Sequence, residues 1–239
     1  MLPRFYLPQV NITNDQIIIS DKEIIDQLTK VLRLKTNDLF IIFAPQAEYQ
    51  LALKEIGDKT AIATIIETQP AMREPGQKLT LYQSLLKKDN FEWILQKGTE
   101  LGISCFVPMI TNHTIVREIS ENKLKRYHKI LTEATEQCGG RQVPELKNLL
   151  PFNQAIAAAA QQPGQKLIAW EGQTDSTLEE KLDPNVQYYH IFIGPEGGFS
   201  PQEVELAKHD NFTPVSLGNR ILRAETAAIA AASLILLSQ

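Results

Sequence analysis

Two segments near the C-terminus combine residue types that build a ligand cradle. Gly194-Pro195-Glu196-Gly197-Gly198 follows the apolar run 189–193, and Leu217-Gly218-Asn219-Arg220-Ile221-Leu222-Arg223-Ala224-Glu225-Thr226 leads into an alanine-rich stretch. Each is expected to be a loop leaving a strand, where α/β sheets bind ligands, and glycine lets backbone amides and carbonyls approach a ligand closely. Taken alone, the first loop is explained equally well as an ordinary strand-to-helix turn. The second adds an apolar pair, Ile221-Leu222, with Arg223 and Glu225 flanking a helix start. Neither loop is a P-loop, since no Gly-Lys-Ser/Thr follows a glycine at the required spacing, and no Gly-x-Gly-x-x-Gly occurs anywhere, which excludes an ordinary dinucleotide site.

The elements that position these loops follow from periodicity. Strands are expected at 16–20, 39–44, 48–55 and 60–68 with one helix at 22–32, a pattern of a small barrel or sandwich. Residues 67–77, with Pro70, Pro75 and Gly76 among polar residues, read as a linker. Beyond it strands at 79–85, 103–110, 166–170, 189–193 and 213–216 alternate with helices, the mark of a parallel α/β sheet. Two domains are therefore expected, 1–70 and 76–239.

Three helices carry punctuation. Asp89 with Glu92 is expected to form a capping box ahead of the stripe Phe91, Ile94, Leu95, Leu101, with Gly102 as the stop. A second helix has the apolar stripe Leu124, Tyr127, Leu131, Ala134, Cys138, turns Lys123, Lys125, Arg126 and Lys129 to solvent, and ends at Gly139-Gly140. Ser200-Pro201-Gln202-Glu203 unites an N-cap serine, an N1 proline and an N3 glutamate, so a helix starts directly after the first glycine loop.

A chain of 239 residues that is 43% hydrophobic can bury substantial cores, and a net charge of −4 lacks the basic field of a generic nucleic-acid binder. The charge is uneven: residues 1–75 hold 8 basic and 10 acidic side chains, 76–150 hold 11 and 8, and 151–239 hold 5 and 10, so polyanion contact is expected in the middle third. Cys105 and Cys138 sit in apolar contexts that favour reduced thiols over a disulfide or a metal site, which fits a cytoplasmic protein without a metal. No apolar stretch is long enough to span a membrane.

GPEGGFS at 194–200, LGNRILRAETA at 217–227, LQKGTELGI at 95–103 and EATEQCGGRQVPE at 133–145 together resemble the RsmE family, S-adenosylmethionine-dependent methyltransferases of the SPOUT class. Pro3-Arg4-Phe5-Tyr6 and Val31-Leu32-Arg33-Leu34 extend the resemblance to the N-terminal part. It implies a PUA-like β-barrel that binds RNA, followed by a SPOUT α/β domain with a deep trefoil knot. It also implies methylation of uracil N3 in 16S ribosomal RNA, on the small ribosomal subunit, by a homodimer. Carried over by residue, Gly194, Pro195, Glu196, Gly197 and Gly198 form one wall of the cofactor pocket, and Leu217, Gly218, Ile221 and Leu222 the other. Two positions depart from the family pattern: Gln27, where members usually carry histidine, and Asn112-His113-Thr114, where many carry Glu-Arg-Ser.

Methyl transfer from a sulfonium to nitrogen depends on positioning donor and acceptor, and the charge that spreads onto the uracil carbonyls is stabilised by a nearby arginine. Arg141 and Arg223 are the candidates, with Glu100 and Glu225 orienting them; structural ion pairs are the competing reading for each. His113 and His128 are available as proton acceptors, but neither is singled out by its surroundings in sequence. Arg4, Lys30 and Arg33, with Lys123, Lys125, Arg126 and Lys129, are the candidate phosphate contacts. Rival readings are a non-catalytic RNA-binding protein, a phosphoryl-transfer enzyme using the 194–200 turn as an anion cradle, and a methyltransferase of the same class acting on another RNA position.

Overall fold

The computed structural model describes residues 2–70 and 76–237, which divide into two compact units. The first holds the described residues of Met1–Arg73 with Thr135–Gln142, the second those of Glu74–Ala134 and Val143–Gln239.

The first unit contains β1 (Arg4–Tyr6), β2 (Ile12–Thr13), β3 (Gln16–Ile19), α1 (Lys22–Asp26), β4 (Leu39–Phe43), β5 (Ala47–Ile56) and β6 (Ala61–Pro70). Period-two alternation sends Ile17 and Ile19 of β3, Phe40 and Ile42 of β4, and Leu51 and Leu53 of β5 into one core. Ile24, Ile25 and Leu28 cover that core from α1 and the π-helical turn Gln27–Val31 that extends it. Asn14 and Asp15, both with positive φ, make the two-residue turn that pairs β2 with β3, a geometry their short polar side chains tolerate.

The strands pair in the order β1-β4-β5-β6-β3-β2. This corrects the expectation of a closed barrel: among the described residues the two end strands do not pair with each other. With three and two residues they offer little edge to join. The expected linker is in part strand, since β6 runs to Pro70, and residues 71–75 lie outside the described residues.

The second unit begins with β7 (Lys78–Ser84), α2 (Asn90–Leu101), β8 (Cys105–Ile110) and α3 (Glu121–Cys138), whose last residues group with the first unit. It continues through β9 (Glu145–Leu146), β10 (Leu150–Pro151), α4 (Phe152–Ala160), β11 (Gln165–Ala169), α5 (Leu178–Lys181) and β12 (Tyr188–Ile193). It ends with α6 (Pro201–His209), β13 (Thr213–Val215) and α7 (Ala224–Leu237). Every strand pair here is parallel, in the order β10-β8-β7-β12-β11-β13, with β9 beside β10 along the outer edge of β8.

Both faces of this sheet are covered, as a parallel sheet requires. Leu79, Leu81, Phe106, Ile191 and Ile193 meet α2, α3 and α7 on one face, while Tyr82, Val107, Met109, Ile168 and Phe192 meet α4 and α6 on the other. The buried alanines Ala228, Ala231 and Ala232 let α7 lie close against α2 and β7. Gly98 plays the same part on α2, because a Cβ there would stand 2.7 Å from Ile103 Cδ1.

The capping box expected at Asp89 is absent. Asp89 sits at φ −98°, ψ 10°, outside the extended conformation that aims an N-cap side chain at its helix, and makes no cap hydrogen bond. Glu92 instead accepts from Arg126 Nε at 2.7 Å, tying α2 to α3. Neither cysteine forms a disulfide among the described residues, and burial pushes the Cys105 thiol up to about 12.

Candidate functional site

Three loops leaving the carboxyl ends of β11, β12 and β13 surround a cleft of about 800 Å³. Residues 170–174, 194–199 and 216–223, with the first turn of α7, line it. Both segments first noted for their glycines therefore face one cavity, at the end of a parallel sheet where ligands bind.

The first loop is built by its glycines and its helix cap. The N–H of Gly198 donates to the Pro195 carbonyl at 3.0 Å, closing a turn in which Gly198 takes φ +66°. A Cβ on Gly198 would stand 2.2 Å from Glu171 Oε1, so the Glu171 carboxylate lies against this glycine from the β11 side. Gly194 is held close to the far end of the same turn, since its Cβ would meet the Gly198 carbonyl carbon at 3.2 Å. Ser200 then caps α6, with Ser200 Oγ accepting from Glu203 N and Glu203 Oε2 accepting from Ser200 N, the expected reciprocal box. Glu196 turns back to accept the backbone N–H of Lys87 at 3.1 Å.

The second loop begins with Ser216, whose Oγ accepts from Gly218 N at 3.2 Å. Gly218 takes φ +111° with nothing within 4 Å of a would-be Cβ, so the cleft opens directly over it. Ile221 lines the cleft yet is 90% exposed, an apolar side chain left in solvent at its rim.

A third contributor was not foreseen. The loop after β8, the Asn112-His113-Thr114 segment, is fastened to the first glycine loop. The His113 Nδ1 lies 2.8 Å from the Gly197 carbonyl oxygen and 3.1 Å from that of Gly198. Asn112 donates its backbone N–H to Glu203 Oε1 and its Nδ2–H to Ser200 Oγ, both at 2.8 Å. Thr114 Oγ1 accepts the Thr111 N–H at 2.8 Å and fixes the turn between them. The only sequence signal for this strut was that these three residues depart from the family pattern.

The structure brings Arg223 and Glu225 to the cleft together with all nine candidate cofactor residues. Glu100 instead pairs with Lys97 at 2.7 Å on α2, and Arg141 lies in the first unit, where its Nε donates to the Pro45 carbonyl. Trp170 and Glu171 line the cleft without having been anticipated. The cleft charges are mixed, Glu171, Glu196 and Glu225 against Arg220 and Arg223. Among the described residues no His, Cys, Asp and Glu side chains are grouped to hold a metal ion.

The candidate phosphate contacts separate into two sets. Arg4 forms two hydrogen bonds to Glu48 at 2.9 and 2.8 Å and stacks over Phe43; Lys30 pairs with Asp26, Arg126 with Glu92, and Lys129 with Glu133. Arg33, Lys123 and Lys125 make no ion pair among the described residues.

A family model described as an RNA methyltransferase domain matches residues 73–236. The ribosomal RNA small subunit methyltransferase E of Synechocystis sp. is 34% identical over 203 residues, 84% of this chain and 66% of that protein. The protein of the same name from Mesomycoplasma hyopneumoniae is 32% identical over 84% of this chain and 86% of its own length. A crystal structure of ribosomal RNA small subunit methyltransferase E from Neisseria gonorrhoeae bound to S-adenosyl methionine superposes with a TM-score of 0.85 at 30% identity, covering 98% of this chain and 96% of that one.

Proposed function

The chain belongs to the ribosomal RNA small subunit methyltransferase E family, and from that premise we propose that it methylates N3 of a specific uridine in 16S ribosomal RNA, using S-adenosylmethionine. The observation that carries this reading is the single cleft shared by the Gly194 and Leu217 loops, in a chain that aligns end to end with a relative whose structure holds that cofactor.

The residues present fit the group. A cleft of about 800 Å³ accommodates a nucleoside-sized ligand. A side chain at Gly198 would displace the Glu171 carboxylate that lines the cleft, and three cleft carboxylates suit a ligand bearing a sulfonium. Bound there, the cofactor supplies an electrophilic methyl group. The protein's share is positioning: backbone of residues 194–198 and 217–218 grips the adenosine, with Ile221 and Leu222 covering it. Arg223 faces the carbonyl oxygens of the uracil as N3 loses its proton, and Glu225 orients that guanidinium. Arg141 is the alternative donor.

In this reading the N-terminal unit, 1–70, is a PUA-like RNA-binding module and 76–239 a SPOUT domain whose C-terminal loops form a trefoil knot, acting as a homodimer. N3 is hidden in a base pair, so the target uridine is unpaired or flipped when it reacts. Arg33, Lys123 and Lys125, which make no ion pair among the described residues, are its leading phosphate contacts.

Calorimetric titration with S-adenosylmethionine tests the reading, run for the native chain and for Gly218→Trp, whose indole would occupy the cleft. Saturable binding to the native chain alone, followed by appearance of N3-methyluridine in small subunits, is the expected outcome. Failure of the native chain to bind would bring forward the non-catalytic RNA-binding reading.

A further inference from the structure

Uracil N3 carries a proton that must leave when the methyl group arrives, and the cleft loops have no obvious place for it. Resting on the methyl-transfer reading above, we propose that His113 is the group that accepts this proton.

Of the four histidines, His128 lies on the exposed side of α3, His190 is buried on the α4 and α6 face, and His209 ends α6 beside the amino end of β11, away from the cleft at the carboxyl ends. His113 alone is hydrogen-bonded to a loop that lines the cleft. Both its partners are carbonyl oxygens, which accept but cannot donate. Nδ1 therefore carries the hydrogen, and in the neutral ring Nε2 holds a free lone pair. The ring is exposed, so a base entering from solvent can reach it.

The position is also held firmly. A Cβ at Gly197 would stand 3.0 Å from His113 Cβ, so the glycine lets the two segments approach closely. The Asn112 bonds to Glu203 and Ser200 and the Thr111–Thr114 bond fix the backbone on either side.

Carboxylates of the cleft are weaker bases than imidazole as a class, and an imidazole is better matched to a weakly acidic N–H near neutral pH. The charged groups on the elements packed around the ring are Glu196 in the contacted loop, Glu171 against Gly198, and Glu203 on α6. Arg117 and Glu118 lie further along its own segment. In the step itself the N3–methyl bond forms as the methyl–sulfur bond breaks, its electron pair going to sulfur, while the N3 proton passes to Nε2. The resulting imidazolium keeps its Nδ1–H bonds to the loop and returns the proton to water from its exposed edge.

His113→Asn separates this role from that of a strut, because an amide N–H still reaches the two carbonyls but accepts no proton. With small ribosomal subunits and saturating S-adenosylmethionine, kcat of H113N is expected to fall about 100-fold or more. Cofactor affinity should stay within about twofold, as a retained strut implies. The fall in kcat at acid pH should disappear, leaving a rate that climbs with pH as N3 itself ionises. Added imidazole should restore part of the turnover of His113→Ala. Native turnover in H113N, or an unchanged acid limb, overturns the proposal. A native chain that binds no cofactor in the calorimeter overturns the methyl-transfer reading and this proposal with it, and that failure is visible before any variant is made.

Discussion

Glu203 Oε1 accepts the backbone N–H of Asn112 at 2.8 Å, so the carboxylate that caps α6 also anchors the loop after β8. Its other oxygen holds the Ser200 N–H at 2.9 Å and the Ser200 hydroxyl at 3.0 Å. One buried side chain thus joins the end of the first glycine loop to the segment that carries His113. Glu203→Ala should lower stability by about 2 kcal/mol, since it strands the buried Ser200 N–H and removes the partner of the Asn112 N–H. Asn112→Ala keeps the backbone donor and should cost less. Denaturant unfolding of both variants checks this, and equal losses would show that the anchor runs through the Asn112 side chain instead.

Gly198 and Glu171 should be coupled. Alanine at a left-handed position costs about 1–2 kcal/mol wherever it is placed, and here its methyl also displaces the Glu171 carboxylate. Gly198→Ala should weaken cofactor binding more in the native background than in Glu171→Ala, where the space is already open. A double-mutant cycle on S-adenosylmethionine affinity measures the difference, and strict additivity would mean that Glu171 does not bear on this loop.

The cleft was legible in sequence because its signals are local: glycines at strand ends and a Ser200-Pro201 cap are read within a few residues. The Asn112 and His113 bonds were not, since they join positions 84 to 91 residues apart and nothing in either segment alone marks the pairing. The same limit explains Asp89 and Glu92. Their spacing suits a capping box, yet Arg126, 34 residues on, takes the carboxylate. Strands β1, β2, β9 and β10 are too short to show a period, so the open order of the first sheet had no signature either.

His190 should make stability fall in mild acid. Burial pushes its pKa down, with Lys166 adding to this and the hydrogen bond to the Pro163 carbonyl opposing it. The unfolded chain therefore binds a proton that the folded chain resists. Stability is full above the ordinary histidine value of about 6.5 and declines as pH drops from there toward the lowered folded value. His190→Phe should flatten this part of the curve. Thermal melts of both proteins from pH 8 to pH 5 check it; parallel curves would assign the acid sensitivity elsewhere.

Reversing charge should act differently on paired and unpaired cations. Lys125 makes no ion pair among the described residues, so Lys125→Glu should weaken binding of small-subunit RNA and reduce its salt dependence by about one unit of slope without altering the melting temperature. Arg4 is committed to Glu48 and to the face of Phe43, so Arg4→Ala should instead destabilise the N-terminal unit. A lowered salt slope in Arg4→Ala with unchanged stability would return this residue to the RNA contacts.

In the proposed reaction Arg223 and Arg141 are the two candidates for stabilising negative charge on the uracil oxygens. Arg223 stands in the wall of the cleft, two residues before Glu225, while the Arg141 guanidinium is engaged by the Pro45 carbonyl. Removing a donor aimed at developing charge costs about 100-fold or more in turnover when that donor acts in the transition state. Arg223→Ala should show a loss of that order with cofactor affinity largely retained, and Arg141→Ala a smaller one. The split matters because a residue that only shapes the pocket would raise the KM for S-adenosylmethionine and leave kcat nearly as it was. Single-turnover methylation at saturating cofactor separates the two; if Arg141→Ala loses the greater part of kcat, the charge-stabilising role passes to Arg141.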